Sequence, residues 1–190
     1  MINSKLDHVK TLDEFYESIR SQQEEAHGEH YCAMHDAINQ IAKDCKSYKE
    51  LGVHQGGTLA NALLNPHLKY VEGVDISLEK YSMFLQPIAE QYVKDKKKVL
   101  KMKECDSTGI DSLGYGTDIL MIDSVHKQHH MRKELELHGQ YVKKYIVAHD
   151  THKPDDQLYW CLADWGVDNG WEVMTRNQEN VGFTVLKKNV

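Results

Sequence analysis

Long apolar runs are missing from this 190-residue sequence, and cysteines are few. No segment approaches the ~20 consecutive apolar residues that a membrane-spanning helix needs, and the first residues lack the apolar core of a secretion signal. Four scattered cysteines without a CxxC pair predict reduced, mostly buried thiols rather than disulfides. We therefore predict a cytoplasmic protein with no membrane partner.

An excess of positive charge is also missing. The net charge of −6 argues against nucleic acid or another polyanion as the main partner. The lysine-rich run 94–98 is the exception, and we interpret it as a solvated helix end rather than a phosphate contact. With 41% hydrophobic and 27% charged residues, the chain has the composition of a globular protein. Its length and the absence of internal repeats predict one domain, residues 1–190.

Residues 1–46 carry two helical patterns, separated by a polar stretch at 21–28. In each pattern, apolar side chains recur at the three- and four-residue spacing of one helix face. We predict two N-terminal helices that form a lid over a ligand, or whose exposed apolar positions make the contact of a homo-oligomer. The apolar positions are Leu6, Val9, Leu12, Phe15 or Tyr16 and Ile19 in the first pattern, and Tyr31, Met34, Ile38, Ile41 and Cys45 in the second.

From residue 47 to 190, short apolar runs alternate with amphipathic segments. This alternation predicts a Rossmann-like, doubly wound α/β core with a mostly parallel sheet. The last two strand-like runs are joined by a short polar turn, which predicts an antiparallel hairpin at the sheet edge. The predicted strands span residues 48–53, 70–75, 98–102, 118–123, 145–149, 171–176 and 181–186, and the predicted helices span 58–64, 78–93 with a kink at Pro87, 127–142 and 155–165.

Three predicted strand ends carry groups suited to a nucleotide-like ligand, which in open α/β sheets binds at the carboxyl ends of the strands. Glycines in the first turn let the backbone approach a ligand and present a helix N-terminus to it. The carboxylate of Asp75 can accept hydrogen bonds from two ribose hydroxyls, and Asp106 with Ser107 can reach an adenine amino group. The predicted ligand-binding residues are Glu50, Gly52, Gly56, Gly57, Asp75, Ile76, Asp106, Ser107 and Asp123.

Dinucleotide binding and a plain tight turn are the alternatives for the glycine-rich segment. The dinucleotide fingerprint is G-x-G-x-x-G, and His54 stands where its middle glycine would fall. The spacing here is E-x-G-x-x-x-G, which leaves room for a methionine moiety and offers no tight cradle for a pyrophosphate. The order of the three strand ends favours an adenosyl ligand over both alternatives.

The glycine turn and Asp75 resemble the first two motifs of class I methyltransferases. A D-x-x-H motif at Asp123–His126, followed by His149-Asp150-Thr151, is similar to the cephalosporin-hydroxylase-like family, which includes rhamnosyl and macrolide-sugar O-methyltransferases. The similarity runs from about His30 to the C-terminal hairpin. It implies S-adenosylmethionine as cofactor and a sugar-like hydroxyl group as methyl acceptor.

The same resemblance assigns roles to residues at the ends of two strands. His126 matches the position of the general base, and imidazole, with a pKa of ~6.5, suits that task near neutral pH. Asp123, His149 and Asp150 match three positions that are acidic in the family and hold magnesium. The histidine at 149 is a departure, because Mg²⁺ prefers oxygen ligands. Mg²⁺, Mn²⁺, another ion and no ion all remain open, and His126 has a helix-capping or loop role as its alternative.

Two other classes of function fit parts of the sequence. A ligand-binding or partner protein of the same fold, without turnover, is favoured by the histidine at 149, and an oxidoreductase is disfavoured by the missing glycine. The remaining histidines give weaker signals. We interpret His129 and His130 as the polar face of a helix, His152 as a residue at the mouth of the site, and His27, His30 and His35 as part of the lid rather than a zinc cluster. Tyr159, Trp160 and Trp165 are interpreted as core rather than as a platform for a sugar ring.

Overall fold

The protein is described by a computed structural model over residues 9–152 and 157–189. Its strands are β1 (Ser47–Leu51), β2 (Tyr70–Asp75), β3 (Val99–Glu104), β4 (Thr117–Ile122), β5 (Val142–His149), β6 (Trp171–Asn177) and β7 (Phe183–Lys188). Its helices are α1 (Leu12–His27), α2 (Ala33–Ile41), α3 (Gly57–Leu64), α4 (Glu79–Phe84), α5 (Gln86–Lys96), α6 (Gln128–His138) and α7 (Gln157–Asp168).

The strands form one sheet in the order β3-β2-β1-β4-β5-β7-β6. The first five strands of the chain pair in parallel, and β7 inserts antiparallel between β5 and β6. The predicted Rossmann-like sheet with a C-terminal antiparallel hairpin is therefore confirmed. Strand order reverses between β1 and β4, and ligands of such sheets bind at this point.

Helices cover both faces of the sheet. All six residues of β4 are buried, and they alternate between two cores. Ile119 and Met121 pack on the side of α1, α2, α3 and α5, whereas Leu120 and Ile122 pack on the side of α6 and α7. A strand buried on both faces has no polar alternation, which is why its sequence is a continuous apolar run.

The first helix is longer than predicted. Thr11 caps α1 through a reciprocal capping box with Glu14, and the helix continues through the polar stretch to His27. The residues after position 20 are mostly good helix formers, so no local signal stops the helix before Gly28, whose φ is 101°. The prediction that the helix ends before this stretch was wrong for that reason; Leu6 lies outside the described residues.

The apolar faces of α1 and α2 are buried in the core of the same chain. The buried side chains include Phe15, Ile19, Met34 and Ile38. These positions were expected to be exposed and to offer a contact for a homo-oligomer, and the structure contradicts that exposure. The reason is that both helices pack on α3, which presents its own apolar face to them. A homo-oligomer that uses another surface stays a prediction.

Two further elements differ from prediction because of local backbone chemistry. The helix predicted to kink at Pro87 is two helices that meet at Leu85, with the proline in the first turn of α5, where a missing N–H costs no helical hydrogen bond. The lysine run is a solvated helix end as far as Lys97, as predicted, since α5 ends at Lys96 and residues 94–97 are exposed; only Lys98 departs from the prediction. Lys97 adopts a left-handed conformation with φ of 53°, and Lys98 turns inward to donate to the carbonyl oxygens of Leu63 and Asn65.

The aromatic residues of α7 divide between core and surface. Trp165 is buried and lies 6.2 Å from Trp171. The guanidinium of Arg176 lies 3.6 Å from the ring centre of Tyr159, and Trp160 is 54% exposed. The core interpretation therefore holds for Trp165 and is wrong for Trp160. All four cysteines are free, three of them buried, and within the described residues no helix is long and apolar enough to cross a bilayer.

Candidate functional site

A cavity of about 680 Å³ opens at the carboxyl ends of β1, β2, β4 and β5. One part of its wall is the turn between β1 and α3, and another is formed by the residues that follow β4 and β5. Helix α1 closes it on a third side. All of the residues predicted to bind the ligand or the metal line this cavity, except Gly56, which is buried within the turn.

The glycines of the first turn are required by packing against the protein itself. Gly52 and Gly56 have φ of 89° and 90°, a region that favours glycine. A Cβ atom at Gly52 would lie 2.1 Å from the backbone oxygen of Asp123, and one at Gly56 would lie 2.4 Å from a methyl of Leu85. The turn is therefore in close contact with the end of β4, directly beside Asp123, and its Gly52 and Gly57 also line the cavity.

Asp75 fixes this turn. Its Oδ2 accepts hydrogen bonds from the backbone N–H groups of Val53 and His54, at 2.7 and 2.8 Å, and its Oδ1 accepts from Ser77 N–H at 3.1 Å. A carboxylate offers about four lone-pair sites, so capacity for a further donor remains. Ile76 lies beside it at the rim of the cavity and is 73% exposed.

Glu50 is a buried acid on the cavity wall. The hydroxyl of Tyr48 donates to its Oε2 at 2.8 Å. Burial raises the pKa of Glu50 well above its usual range, and the charges of Asp123 and Asp75 add to the effect, while the Tyr48 hydrogen bond opposes it. A cationic group bound beside this carboxyl would favour its ionised form.

The loop after β3 places both of its predicted side chains on the cavity wall, where each also has partners within the protein. The Oδ1 of Asp106 accepts from the N–H and the hydroxyl of Thr108, both at 2.8 Å. The hydroxyl of Ser107 donates to Glu134 on α6 at 2.5 Å and lies 3.1 Å from His130. His130 was predicted to lie on the polar face of its helix. It is instead turned inward, because its ring lies close to the buried side chains of Ser107 and Glu134.

Four side chains meet where β4 and β5 end. The Nε2 of His126 lies 3.3 Å from Asp123 and 2.9 Å from Asp150, and the Nδ1 of His149 lies 3.2 Å from Asp123 and 3.5 Å from Asp150. The two strands are neighbours in the sheet, which brings their ends together. Asp150 has a left-handed backbone with φ of 54°, a sparsely populated conformation for a residue other than glycine.

The charges of this cluster stabilise one another. Hydrogen bonds to Asp123 and Asp150 raise the pKa of His126 to about 10, against a smaller opposing effect of burial. Burial alone would raise the pKa of Asp123, but the hydrogen bonds with His126 and His149 outweigh it and lower the pKa to about 2. Burial likewise lowers the pKa of His149, and the neighbouring carboxylates outweigh it and raise the value. In this arrangement His126 carries a proton at neutral pH.

Three of these side chains could hold a metal ion. Ligand atoms of Asp123, His126 and Asp150 all lie within 4.8 Å of one another. His149, which was predicted as the third ligand, is a buried neighbour of this set, with its Nδ1 3.2 Å from Asp123 and 3.5 Å from Asp150. Two carboxylates with one imidazole suit Mn²⁺ and other transition metals better than Mg²⁺, which prefers oxygen.

Helix α1 and the segment after it form the outer wall. Gln22, Gln23, His27 and Tyr31 line the cavity. The rings of His27 and Tyr31 stack at 4.4 Å, and the Tyr31 ring meets His149 edge-on at 5.6 Å. The wall thus extends from the surface down to the charged cluster.

The other predicted histidine positions are separate from one another. His35 is buried between Tyr16 and Thr58, with contacts of 3.3 Å to each hydroxyl, and burial lowers its pKa to about 4. His30 is exposed beside Glu29. His27, His30 and His35 therefore do not meet at one metal site. His152 packs against Gly182 and does not line the cavity, contrary to expectation.

No protein-family model and no curated protein matches this chain. Solved structures match its fold. A putative caffeoyl-CoA O-methyltransferase from Staphylococcus aureus superposes with a TM-score of 0.64 and 14% identity over 92% of both chains. An S-adenosylmethionine-dependent methyltransferase from Clostridium acetobutylicum gives 0.63 and 10%, over 92% of this chain and 99% of that one.

CalS10 from Micromonospora echinaspora, an amino pentose methyltransferase with bound S-adenosylmethionine, gives a TM-score of 0.57 and 10% identity, over 90% of this chain and 97% of that one. The chain therefore has the Rossmann-like fold that these methyltransferases share. At such identities the similarity establishes the fold alone.

Proposed function

We propose that the protein is an S-adenosylmethionine-dependent O-methyltransferase whose acceptor is a small molecule rich in hydroxyl groups, such as a sugar. The observation that carries this proposal is that one cavity joins the glycine turn, Asp75 and Asp106 to the cluster of Asp123, His126 and Asp150. A cofactor and an acceptor bound together in this cavity would therefore lie next to groups that can transfer a proton.

The cofactor end of the cavity suits S-adenosylmethionine. A volume of about 680 Å³ lies within the range of pockets that bind ligands of this size. The buried carboxyl of Glu50 favours a cationic ligand group, and S-adenosylmethionine has an ammonium and a sulfonium group. Asp75 has lone pairs left for ribose hydroxyls. When bound, the cofactor supplies a methyl group attached to a positively charged sulfur.

The acceptor end is lined by groups that bind hydroxyls. The amides of Gln22 and Gln23 and the phenol of Tyr31 each donate and accept hydrogen bonds, which a sugar-like molecule can satisfy. Among the proteins with this fold, CalS10 acts on an amino pentose and the Staphylococcus protein is a putative O-methyltransferase. Both names support an oxygen or sugar acceptor for this chain.

His126 is proposed to receive the proton of the reacting hydroxyl. It needs a free lone pair for this task, and Asp123 with Asp150 keep it protonated in the ligand-free arrangement. Charge that offsets these two carboxylates would lower its pKa toward neutrality. A divalent ion held by Asp123 and Asp150, with His149 beside them, would supply that offset and acidify a bound hydroxyl. If His126 itself ligates the ion, the proton must leave by another group.

Calorimetry with S-adenosylhomocysteine tests the cofactor site. We expect binding to the wild type, and an absence of binding at high micromolar concentration by folded protein would refute the proposal. Turnover is then measured by mass spectrometry over a panel of sugars with Mg²⁺ or Mn²⁺. His126→Gln should abolish turnover and leave cofactor affinity within about threefold. The exposed neighbour His129 provides the matched control His129→Gln, which should change neither turnover nor cofactor affinity.

The same variants distinguish a ligand role of His126 from a base role. If His126 is the base, His126→Gln leaves the affinity for Mn²⁺ nearly unchanged while turnover is lost. If it is a ligand, Mn²⁺ affinity measured by electron paramagnetic resonance falls by about tenfold or more.

A second candidate is a protein that binds the adenosyl ligand without turnover. The raised pKa of His126 favours it, because a protonated imidazole is no base. Binding of S-adenosylhomocysteine together with no methyl transfer across sugars and phenols, with either metal, would support this candidate over the enzyme.

A further inference from the structure

Glu134 is a fully buried acid that the proposed reaction does not use. It lies on α6 with 0% relative exposure. Its Oε1 accepts hydrogen bonds from the hydroxyls of Ser107, at 2.5 Å, and Ser124, at 2.6 Å. His130, one turn earlier on the helix, lies 3.3 Å from the same oxygen.

The two serines belong to different loops of the cavity. Ser107 follows Asp106 in the loop after β3, on the side predicted to contact adenine. Ser124 follows Asp123 in the loop after β4, where the charged cluster begins. Both serines line the cavity together with their acidic neighbours. The Oε1 atom of Glu134 therefore joins the loop after β3 to the loop after β4.

Two further hydrogen bonds hold the backbone of the loop after β3. The Nε2 of His138 lies 2.8 Å from the backbone oxygen of Ser107, and Lys49 donates to the backbone oxygen of Ser112 at 2.6 Å. These contacts hold the loop to the sheet and to α6. Because Glu134 accepts hydrogen bonds from both Ser107 and Ser124, it also connects the same loop to the residues that follow β4.

A carboxylate is a costly choice for packing alone. Burying a charge is unfavourable unless hydrogen bonds compensate for the lost water, and an apolar side chain of similar volume often stabilises as well. Burial raises the pKa of Glu134, while the serines and His130 oppose the rise. A short hydrogen bond from each of two loops gives the carboxylate a geometric role that an apolar residue would not have.

We propose that Glu134 is a positioning residue that couples the loop after β3, on the adenosyl side of the cavity, to the loop after β4, on the side of the reacting hydroxyl. Cofactor binding and the placement of Asp123 then depend on one another. This inference rests on the proposed function for the identity of the ligand. The hydrogen bonds by which Glu134 connects the two loops, called the tie below, are present in the ligand-free protein. They can therefore be measured without any ligand.

The first measurement is amide hydrogen exchange on the ligand-free protein. Glu134→Leu removes both serine contacts, whereas Glu134→Gln keeps an oxygen that accepts both hydroxyls. We expect Glu134→Leu to raise exchange in both loops together and Glu134→Gln to restore most of the protection. Leu135→Ala, at the adjacent apolar core position, should destabilise the fold without this paired effect. Unchanged exchange in either loop of Glu134→Leu would overturn the tie.

The second measurement is a double-mutant cycle on S-adenosylhomocysteine affinity. Ser107→Ala should weaken binding by about tenfold, the effect of one hydrogen bond to a charged group. If Glu134 couples the loops, Ser107→Ala and Ser124→Ala are non-additive by at least about threefold in the wild type. The non-additivity should shrink in Glu134→Gln and vanish in Glu134→Leu. The exposed neighbour supplies the control Glu136→Gln, which should leave the coupling intact.

The outcomes separate the two proposals. If the wild type does not bind S-adenosylhomocysteine, the proposed function fails, and the hydrogen exchange still decides the tie. If the wild type binds and the two serine substitutions are strictly additive, the coupling role of Glu134 is refuted. If Glu134→Leu does not fold, the exchange of Ser107→Ala measured in the loop of Ser124 takes its place, with increased exchange supporting the tie and unchanged exchange refuting it.

Discussion

Gly52→Ala should be far more damaging than an ordinary glycine-to-alanine change. An alanine must hold the left-handed φ of 89°, which costs roughly 1–2 kcal/mol. In addition, its Cβ would lie 2.1 Å from the backbone oxygen of Asp123 and 2.7 Å from the Cα of Ser124. These are backbone atoms at the end of a buried strand, so they cannot move aside as a flexible side chain would.

Relief of this overlap requires a shift of more than 1 Å in the turn or in the end of β4, since ordinary contact begins at 3.4 Å. Overpacking of this kind adds about 1–3 kcal/mol. Together the two effects predict a loss of about 2–5 kcal/mol in the free energy of unfolding. A change of 1 kcal/mol lowers the Tm of a chain of this length by about 2–4 °C.

The chain contains a matched control at Gly170. Its φ is 78°, and a Cβ there would meet nothing within 4 Å. Gly170→Ala therefore incurs the backbone cost of about 1–2 kcal/mol without the clash. Both variants are compared by urea unfolding followed by circular dichroism, and S-adenosylhomocysteine affinity is measured on each. An equal loss of stability in the two variants would show that the turn does not press against Asp123.

Single contacts give three further predictions. Asp75→Ala removes the acceptor for two backbone N–H groups of the glycine turn, so S-adenosylhomocysteine affinity measured by calorimetry should fall by roughly 10- to 100-fold, and an unchanged affinity would contradict this. Lys49→Met leaves half-buried Glu72 with a weaker set of partners, and urea unfolding should show a loss of about 2–4 kcal/mol rather than neutrality. In metal-free protein, the stabilisation from His126 is complete below pH ~6.5 and is lost as pH rises through about 10, because its folded pKa is raised. The stability difference between the wild type and His126→Gln should therefore be larger at about pH 6 than at about pH 10.5, and a difference that grows with pH would refute the pairing.

The parts of the site that were predictable lie at the ends of strands. The buried strand β4 is a nearly continuous apolar run followed by Asp123, and β2 ends with Asp75 after buried Val74, so both carboxylates stand out in the sequence. Parallel strands place these ends at one edge of the sheet, which is why a shared cavity could be expected from the sequence. The glycine turn was recognisable for the same local reason, and two of its glycines, Gly52 and Gly56, also accommodate Asp123 and Leu85.

The contacts between the histidines and the carboxylates at the ends of β4 and β5 were not predictable from the sequence. Residue spacing places His126 three positions after Asp123, but its contact with Asp150 at 2.9 Å depends on the left-handed backbone of Asp150 and on the loop after β4. A single sequence has no periodic signal for such loop conformations. Glu134 was missed because a glutamate within a helix is usually exposed, and its burial depends on two serines 27 and 10 residues away.

The sequence alone therefore determined the doubly wound sheet, the hairpin and the polar residues at the ends of β2, β4 and β5, because these depend on hydrophobic periodicity and turn chemistry that act over a few residues. The tertiary structure decided which of those residues touch. It buried the faces of α1 and α2 in the chain's own core, turned Ser107 toward Glu134, and placed His126 between Asp123 and Asp150. Each of these contacts depends on strand order and loop geometry, which bring together atoms that no local pattern relates.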